Sequence, residues 1–394
     1  MSSVARPVGG KFLTPVTWFF IVLALIGGAF TLARFVFGLG ATTAMSDGYP
    51  WGLWIAFDVV TGTALACGGY SVAILAYVFN KGKYHPLVRP AVLTSALGYS
   101  VAAVAIIIDV GRYWNIWKIP VRVDKWNLNS GLLEVALCVM SYVFVLWIEI
   151  SPVFMERFKE SGHGVLARLS TAILPVLEKV LPFILALGIL LPTMHQSSLG
   201  SLYLIAWPKL HLLWHTPLLP LLYIISVVGM GYAVVVFEAT FSSRVYRRER
   251  ETAILGSIGN VTAWLTLVYL AIRIVDIALR GRLGLVFRFD GYGLLFLLEF
   301  ASFLAAAVVL IGRKARVSPA TQVGGALLMM WAGSLYRFDT YLVAYRPGPG
   351  WSYFPSVGEQ AITIGLVALE VLVYVYFVKR FPILSGAPSA SASR

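Results

Sequence analysis

The chain has 394 residues, of which 59% are hydrophobic and 12% charged, about half the usual charged share of roughly 25%, and its mean hydropathy is +0.82. That balance excludes a long soluble enzyme, a disordered chain and a nucleic-acid-binding protein. The formal charge of +13 is therefore read as membrane topology.

Arg6 and Lys11 precede an apolar run that ends at Phe37. It is longer than the roughly 7–15 apolar residues of a cleaved signal, so residues 1–12 read as a cytoplasmic N-terminus before a retained first helix. Membrane helices need about 20 apolar residues. Ten spans are predicted, at 13–37, 51–79, 86–111, 128–153, 176–205, 216–241, 253–279, 291–312, 319–343 and 358–381. The runs are continuous rather than alternating, which excludes a β-barrel. The expected fold class is all-α integral membrane, with a transmembrane domain over 13–381 and a disordered tail over 382–394. Nineteen Lys and Arg fall on the side of the termini and nine on the other, while Arg34, Arg273 and Arg337 lie inside spans. By the positive-inside rule both termini are cytoplasmic. Cys67 and Cys138 sit in apolar runs without a CxxC, so neither a disulfide framework nor an iron–sulfur cluster is expected in this chain.

Ionisable groups inside a bilayer cost several kcal/mol and are functional candidates by default. In helix two, Trp51, Trp54 and Asp58 are spaced i, i+3, i+7 and share a face. They could wall a quinone-type pocket or be two belt tryptophans and a structural aspartate. Helix three leaves through Asp109 and Arg112, an ion pair or a pocket rim, followed by Tyr113. The loop Arg112–Trp126 carries three tryptophans and four basic residues, either an aromatic belt or a docking surface. In helix four, Glu134, Cys138, Ser141 and Glu149 form a stripe with Tyr142 beside it. The two glutamates are separated by about 22 Å of helix. A proton relay is favoured over helix–helix hydrogen bonding.

Helix five has a polar break at Pro192–Ser198 that holds His195, able to bond a quinone or move a proton. The stretch Trp207–Thr216 beyond it is aromatic. Helix six ends near Glu238, a candidate for proton uptake from the cytoplasm. Helix seven carries Thr262, Thr266, Tyr269, Arg273 and Asp276 as a polar stripe. Glu299, Arg337, Asp339 and Glu370 are its expected neighbours, in a second proton wire or a structural ion-pair network. A b-type haem needs two histidines at matched depth inside spans. Of His85, His163, His195, His211 and His215, His195 alone lies clearly within the hydrocarbon, so no haem is expected.

The segments Pro50–Asp58 (PWGLWIAFD), Asp109–Trp117 (DVGRYWNIW) and Leu191–Ile205 (LPTMHQSSLGSLYLI) resemble the NrfD/polysulfide-reductase family of membrane subunits. Within it they look most like the HybB-type branch of respiratory NiFe-hydrogenase membrane subunits. The resemblance implies two antiparallel four-helix bundles, here within 51–205 and 216–343, plus additional helices. It implies no haem, and a menaquinone or ubiquinone site fed by an extracytoplasmic ferredoxin-like iron–sulfur subunit. In that branch the partners include the hydrogenase large and small subunits. Carried onto this sequence, Trp51, Trp54, Asp58, Asp109, Arg112, Tyr113, Glu134 and His195 are the expected quinone-binding residues. Glu134, Asp58, Glu149 and Glu238 are the expected proton-transfer residues. The chain is then a quinone-reactive subunit of the bacterial inner membrane, not catalytic alone. The alternatives are an NrfD-like subunit of a polysulfide, DMSO or quinol–cytochrome oxidoreductase, or a secondary transporter.

Overall fold

The computed structural model describes residues 5–160, 164–206 and 208–385. His163, Trp207 and the tail beyond Ser385 lie outside the described residues. Ten long helices stand where the apolar runs place them: α1 (Pro15–Phe37), α2 (Trp54–Val78), α3 (Val88–Asp109), α4 (Gly131–Glu160), α5 (Gly164–Ile205), α6 (Leu219–Val245), α7 (Thr252–Leu279), α8 (Gly291–Ile311), α9 (Pro319–Phe338) and α10 (Val357–Arg380). Among the described residues nine are long and apolar enough to cross a membrane, making this a multi-pass membrane protein. The tenth, α9, buries Gln322 and Arg337 and is more polar. No strand occurs among the described residues, only two isolated bridges.

Local chemistry sets the boundaries. Thr14 and Thr17 form a capping box at the start of α1, and Ser356 and Glu359 form one at the start of α10; each meets backbone N–H groups that have no partner within the helix. α2 is not uniformly α-helical. Trp54–Thr61 and Ile74–Val78 are π-helical, a wider winding that recurs at functional positions.

α2 packs on α3, α3 on α4 and α4 on α5, making one bundle; α6, α7, α8 and α9 close a second. α2 and α5 pack against α6 to join them. The α2–α6 crossing is close because Gly231 lacks a side chain: a Cβ there would meet the Cys67 carbonyl oxygen at 2.5 Å. α1 and α10 pair outside both bundles, with α10 lying on α2 and α3. At the centre of that pair a Cβ on Gly27 would lie 2.6 Å from the Gly365 Cα. Small residues are what let membrane helices approach this closely.

The first and last described residues meet at one end of the bundle, called here the termini end. Ala5 bridges Ser385, the Arg6 amide donates to the Leu384 carbonyl at 3.2 Å, and the Val8 amide donates to that of Val378 at 3.1 Å. Pro382–Ser385, expected at the start of a disordered tail, instead packs here, with Ile383 and Leu384 buried. The loops 38–53, 110–130, 206–218, 280–290 and 344–356 gather at the opposite, far end.

The α7 stripe is an ion-pair core of the second bundle. Arg273 Nη2 donates to Glu299 Oε1 at 3.1 Å, and Trp214 Nε1 donates to Oε2 at 2.8 Å. The guanidinium lies over Phe296 at 5.0 Å and Tyr336 at 5.3 Å. Arg337 donates to Ser226 Oγ at 3.2 Å and Gln196 Oε1 at 3.3 Å, while Gln196 Nε2 donates to Thr63 Oγ1 at 3.0 Å. That chain of bonds runs from α9 through α5 to α2 and ties one bundle to the other. Glu370 is not among these neighbours. α10 packs on the first bundle, so its carboxylate lies beside Gly98 of α3 instead.

Replacing Gly365 by Leu should overpack the α1–α10 crossing, costing about 1–3 kcal/mol and lowering the melting temperature in detergent. Arg273→Met alone should destabilise by about 3–5 kcal/mol, because it strands a buried carboxylate. Arg273→Met combined with Glu299→Leu should recover most of that loss in the same melting assay.

Candidate functional site

The first residues of α2 and the last of α3 bring a polar cluster together at the far end. Trp54 is buried, and its Nε1 donates to the Glu359 carbonyl at 3.2 Å. The Glu359 side chain accepts from the Tyr353 hydroxyl at 2.5 Å and from the Ala44 and Ser356 amides, both at 2.9 Å. Burial, followed by the Glu359 carboxylate, raises the Tyr353 pKa and keeps its hydroxyl a donor. One turn deeper, Thr363 Oγ1 donates to Asp58 Oδ2 at 2.7 Å.

Asp109 stands at the end of α3 with a buried Oδ1 that has no hydrogen-bond partner. The cation acting on it is Arg34 of α1. Arg112 is exposed and does not pair with it, because α3 stops at Asp109 and Val110 is extended, with ψ 121°. The i, i+3 spacing therefore brings nothing together. Buried Arg34 donates from Nε to the Ile108 carbonyl and from Nη2 to that of Val110 at 2.8 Å. It so caps the negative end of α3. Its guanidinium lies 4.9 Å from the Phe35 ring and 5.5 Å from that of Tyr113.

Trp51, which precedes the first turn of α2, and Trp54 do not flank one slot. Trp51 Nε1 donates to the Tyr341 carbonyl at 3.3 Å, and its ring meets Tyr345 at 5.2 Å and Tyr203 at 5.9 Å. It faces α5 and the end of α9, whereas Trp54 faces α10.

A second polar lane runs inside the first bundle. Glu134 is half-buried near the start of α4, and its carboxylate accepts no hydrogen bond among the described residues. Cys138 and Tyr142 follow at four-residue steps and are buried, while Ser141 is exposed, so the buried line runs through Tyr142. The Tyr142 ring meets Tyr99 at 4.5 Å, and Tyr99 meets His195 at 5.8 Å. Cys67 Sγ lies 3.3 Å from the Tyr99 hydroxyl. His195 is fully buried, with Nε2 3.2 Å from Thr63 Oγ1 and Nδ1 unpartnered. Glu149 lies further along α4, against Gly188 of α5.

Glu238 belongs to neither group. It accepts from Thr94 Oγ1 at 2.7 Å and from the Tyr374 hydroxyl, which places it between α3 and α10. Of the eight sequence-predicted binding residues, Trp54, Asp58, Asp109 and Tyr113 thus lie on the side of α10 and α1, Glu134 and His195 inside the first bundle, Trp51 towards α5 and the end of α9, and Arg112 exposed in the 110–130 loop. Arg34, Glu359 and Tyr353 were missed. Arg34 had been set aside as one of three in-span cations, although a buried arginine is a site signal in itself. Ser356-x-x-Glu359 is a capping-box pattern open to reading from sequence.

At the far end, between the 206–218 and 344–356 loops, a cavity of about 770 Å³ is lined by Tyr49, His211, Arg288, Tyr292, Arg346 and Trp351 among others. His211 stacks on Tyr292 with centroids 4.3 Å apart. Burial, then neighbouring Arg346, holds its pKa below the usual histidine value. The exposed rings of Trp114 and Trp117 lie on the same end.

The family model for polysulphide reductase, NrfD, matches residues 41–334, more than half the chain. A relative described as a probable Ni/Fe-hydrogenase 2 b-type cytochrome subunit, from Escherichia coli, is 39% identical over 98% of this chain and 96% of its own length. The integral membrane subunit of a menaquinone reductase from Nitratidesulfovibrio vulgaris is 26% identical over 88% of this chain and 86% of its own. The Hdr-like menaquinol oxidoreductase integral membrane subunit of Archaeoglobus fulgidus is 22% identical over 86% of each. The words b-type cytochrome, in the first of these names, prompt a test of the histidines. A haem held by two imidazoles needs both at one depth. Among the described residues His195 is the one in the bundle core, with Nε2 against Thr63; His85 is exposed, and His211 and His215 lie in the 206–218 loop. That donor set does not fit such a haem. Sequence, fold and comparisons agree that the chain belongs to the NrfD family of integral membrane subunits.

Proposed function

We propose that this chain is the quinone-reactive membrane subunit of a respiratory NiFe-hydrogenase complex in the bacterial inner membrane, with both termini cytoplasmic and without haem or iron–sulfur cluster of its own. The far end then faces outward. There an extracytoplasmic ferredoxin-like iron–sulfur subunit, itself joined to the hydrogenase large and small subunits, docks against the basic, tryptophan-bearing 110–130 loop and exchanges electrons with menaquinone or ubiquinone. The observation that carries this reading is the buried polar cluster at that end, with Asp109 Oδ1 left unpartnered beside Arg34 and Tyr113. An unpaired buried polar atom costs about 1–3 kcal/mol, which a ligand that meets it would recover.

A bound quinone supplies two-electron, two-proton carrier chemistry. The remaining work belongs to the protein. Trp54 and Tyr113 wall the site, Asp109 and Arg34 offer polar contacts to a carbonyl, and Trp51 and Arg112 stand at the rim. Asp58, Glu134 and His195 lie deeper, as groups that can hold a proton. Glu149 and Glu238 lie towards the termini end, where protons from the cytoplasm are taken up. Proton movement across the membrane potential gains about 2.3 kcal/mol per charge per 100 mV, so coupling would bias a near-equilibrium reaction. The relatives named for menaquinone and menaquinol support a second reading, an NrfD-like subunit of a different quinone-linked oxidoreductase.

Asp109→Asn and Glu134→Gln should each lower quinone-linked hydrogen oxidation at least tenfold in the purified complex, with viologen-linked hydrogenase turnover and subunit composition unchanged. Normal quinone turnover in both variants would defeat the assignment. Mass spectrometry of the co-purifying subunits decides between the two readings: hydrogenase subunits support the first, and a molybdenum enzyme or multihaem cytochrome the second.

A further inference from the structure

We propose that the face of α10 carrying Thr363, Glu370 and Tyr374 forms, with Asp58 of α2 and Glu238 of α6, a proton path from the termini end of the protein to its far-end site. The proposal rests on the quinone reading for its proton acceptor, and it assigns a route that avoids Glu149 and Glu134.

The spacing comes first. Glu359, Thr363, Glu370 and Tyr374 are separated by 4, 7 and 4 residues, so they lie along one face of α10. Thr363 and Tyr374 are about 16 Å apart along the axis. Each end of this stripe is bonded to an acid on another helix: Thr363 to Asp58 at 2.7 Å, and Tyr374 to Glu238, which Thr94 also contacts at 2.7 Å. Between them Glu370 accepts no hydrogen bond among the described residues, and the acids acting on it are Asp58 and Glu238.

The termini end of this line has room for a water. A small cavity of about 10 Å³ is bounded by Glu238, Ser242, Arg248 and Glu251, about the space one water occupies. Beyond it, Ser385 Oγ donates to Glu251 Oε1 at 3.3 Å, and Arg248 donates to Ser242 Oγ at 3.1 Å and to the Ser385 carbonyl. Burial raises the Glu251 pKa, which keeps that outermost acid within reach of a proton.

The nature of the partners separates a path from a brace. In the second bundle, buried Glu299 is met by Arg273 at 3.1 Å, which fixes its charge. No Lys or Arg forms a salt bridge with Asp58, Glu238 or Glu370 among the described residues. Hydroxyls meet the first two instead. A hydroxyl both donates and accepts, so it can pass a proton on. Three carboxyl groups without a salt bridge are costly as mere glue in hydrocarbon, and the one cation near them among the described residues, Arg248, lines the cavity beside Glu238 at the termini end. For each pair of electrons delivered by the iron–sulfur partner to a quinone, two protons would leave the water at the termini end and travel by way of Glu238, Glu370 and Asp58.

The test uses the intact complex in liposomes, driven by reduced viologen with a short-chain quinone as acceptor. A pH dye confined to the termini side reads proton uptake. Glu370→Gln should cut quinone reduction at least tenfold and abolish alkalinisation on that side, with viologen-linked turnover and subunit composition kept. Glu370→Asp should restore part of both. Tyr374→Phe, a milder change, should slow both several-fold. If the wild-type complex reduces quinone and both Glu370→Gln and Tyr374→Phe match it in rate and in the side of proton uptake, the path is overturned while the quinone reading stands. If the wild-type complex assembles yet reduces no quinone, the quinone reading falls and the path loses its acceptor.

Discussion

Hydrocarbon offers no water to a charged side chain, and the arrangement of this protein follows from that constraint. Arg34, Arg273 and Arg337 are fully buried, and each is answered differently. Arg273 meets a carboxylate, Arg337 meets a set of neutral oxygens and a tyrosine ring, and Arg34 meets the carbonyls where α3 ends. These three solutions fix, in turn, the second bundle on itself, the second bundle on the first, and the flanking helix α1 on α3. The apolar packing of α2–α9 supplies the bulk of the contact, but it is non-directional. The polar bonds give it register.

The same constraint separates two kinds of buried acid. Glu299 has a cation beside it and acts as part of the frame. Asp58 and Glu238 have hydroxyl donors and no salt bridge, and half-buried Glu134 and Glu370 accept no hydrogen bond at all among the described residues. Asp58, Glu134 and Glu370 lie in the first bundle and along α10, where the π-helical start of α2 also lies, while Glu238 reaches α10 from α6 and Asp339, past the end of α9, keeps an unpartnered Oδ2. The two bundles share the Arg337–Gln196–Thr63 bonds between them.

Much of this was legible in the sequence. The long helices begin and end within a few residues of the apolar runs, apart from α4, which ends later, and α5, which starts earlier, because twenty apolar residues leave the chain little choice. The grouping of α7 with Glu299 was also readable, since a full polar stripe must find polar company, whereas Arg337 bonds to α5 and α6 instead. What the sequence did not reveal was which helix faces which. Glu370 was assigned to the second bundle, yet α10 returns across the whole chain to lie on α2 and α3. Asp109 was paired with Arg112 on helical spacing that lapses one residue past the end of α3. The pairing of Trp51 and Trp54 assumed helical spacing, but α2 begins only at Trp54 and the two rings meet different neighbours. Periodicity gives the face of a helix and not the identity of its neighbour.

The pairing of α1 with α10 bears on how such a chain is made. α1 precedes its main partner by more than three hundred residues, and few of its residues are buried apart from those that meet α10 and the end of α3. During translation α1 therefore waits in lipid with its glycine face uncovered, while Asp58 on α2 lacks its Thr363 donor. The clasp of Ala5 with Ser385 forms only once Ser385 has emerged. Emergence of α10 is thus the event that seals the flank, and a nascent chain stalled before α10 would hold Asp58 in lipid without that donor.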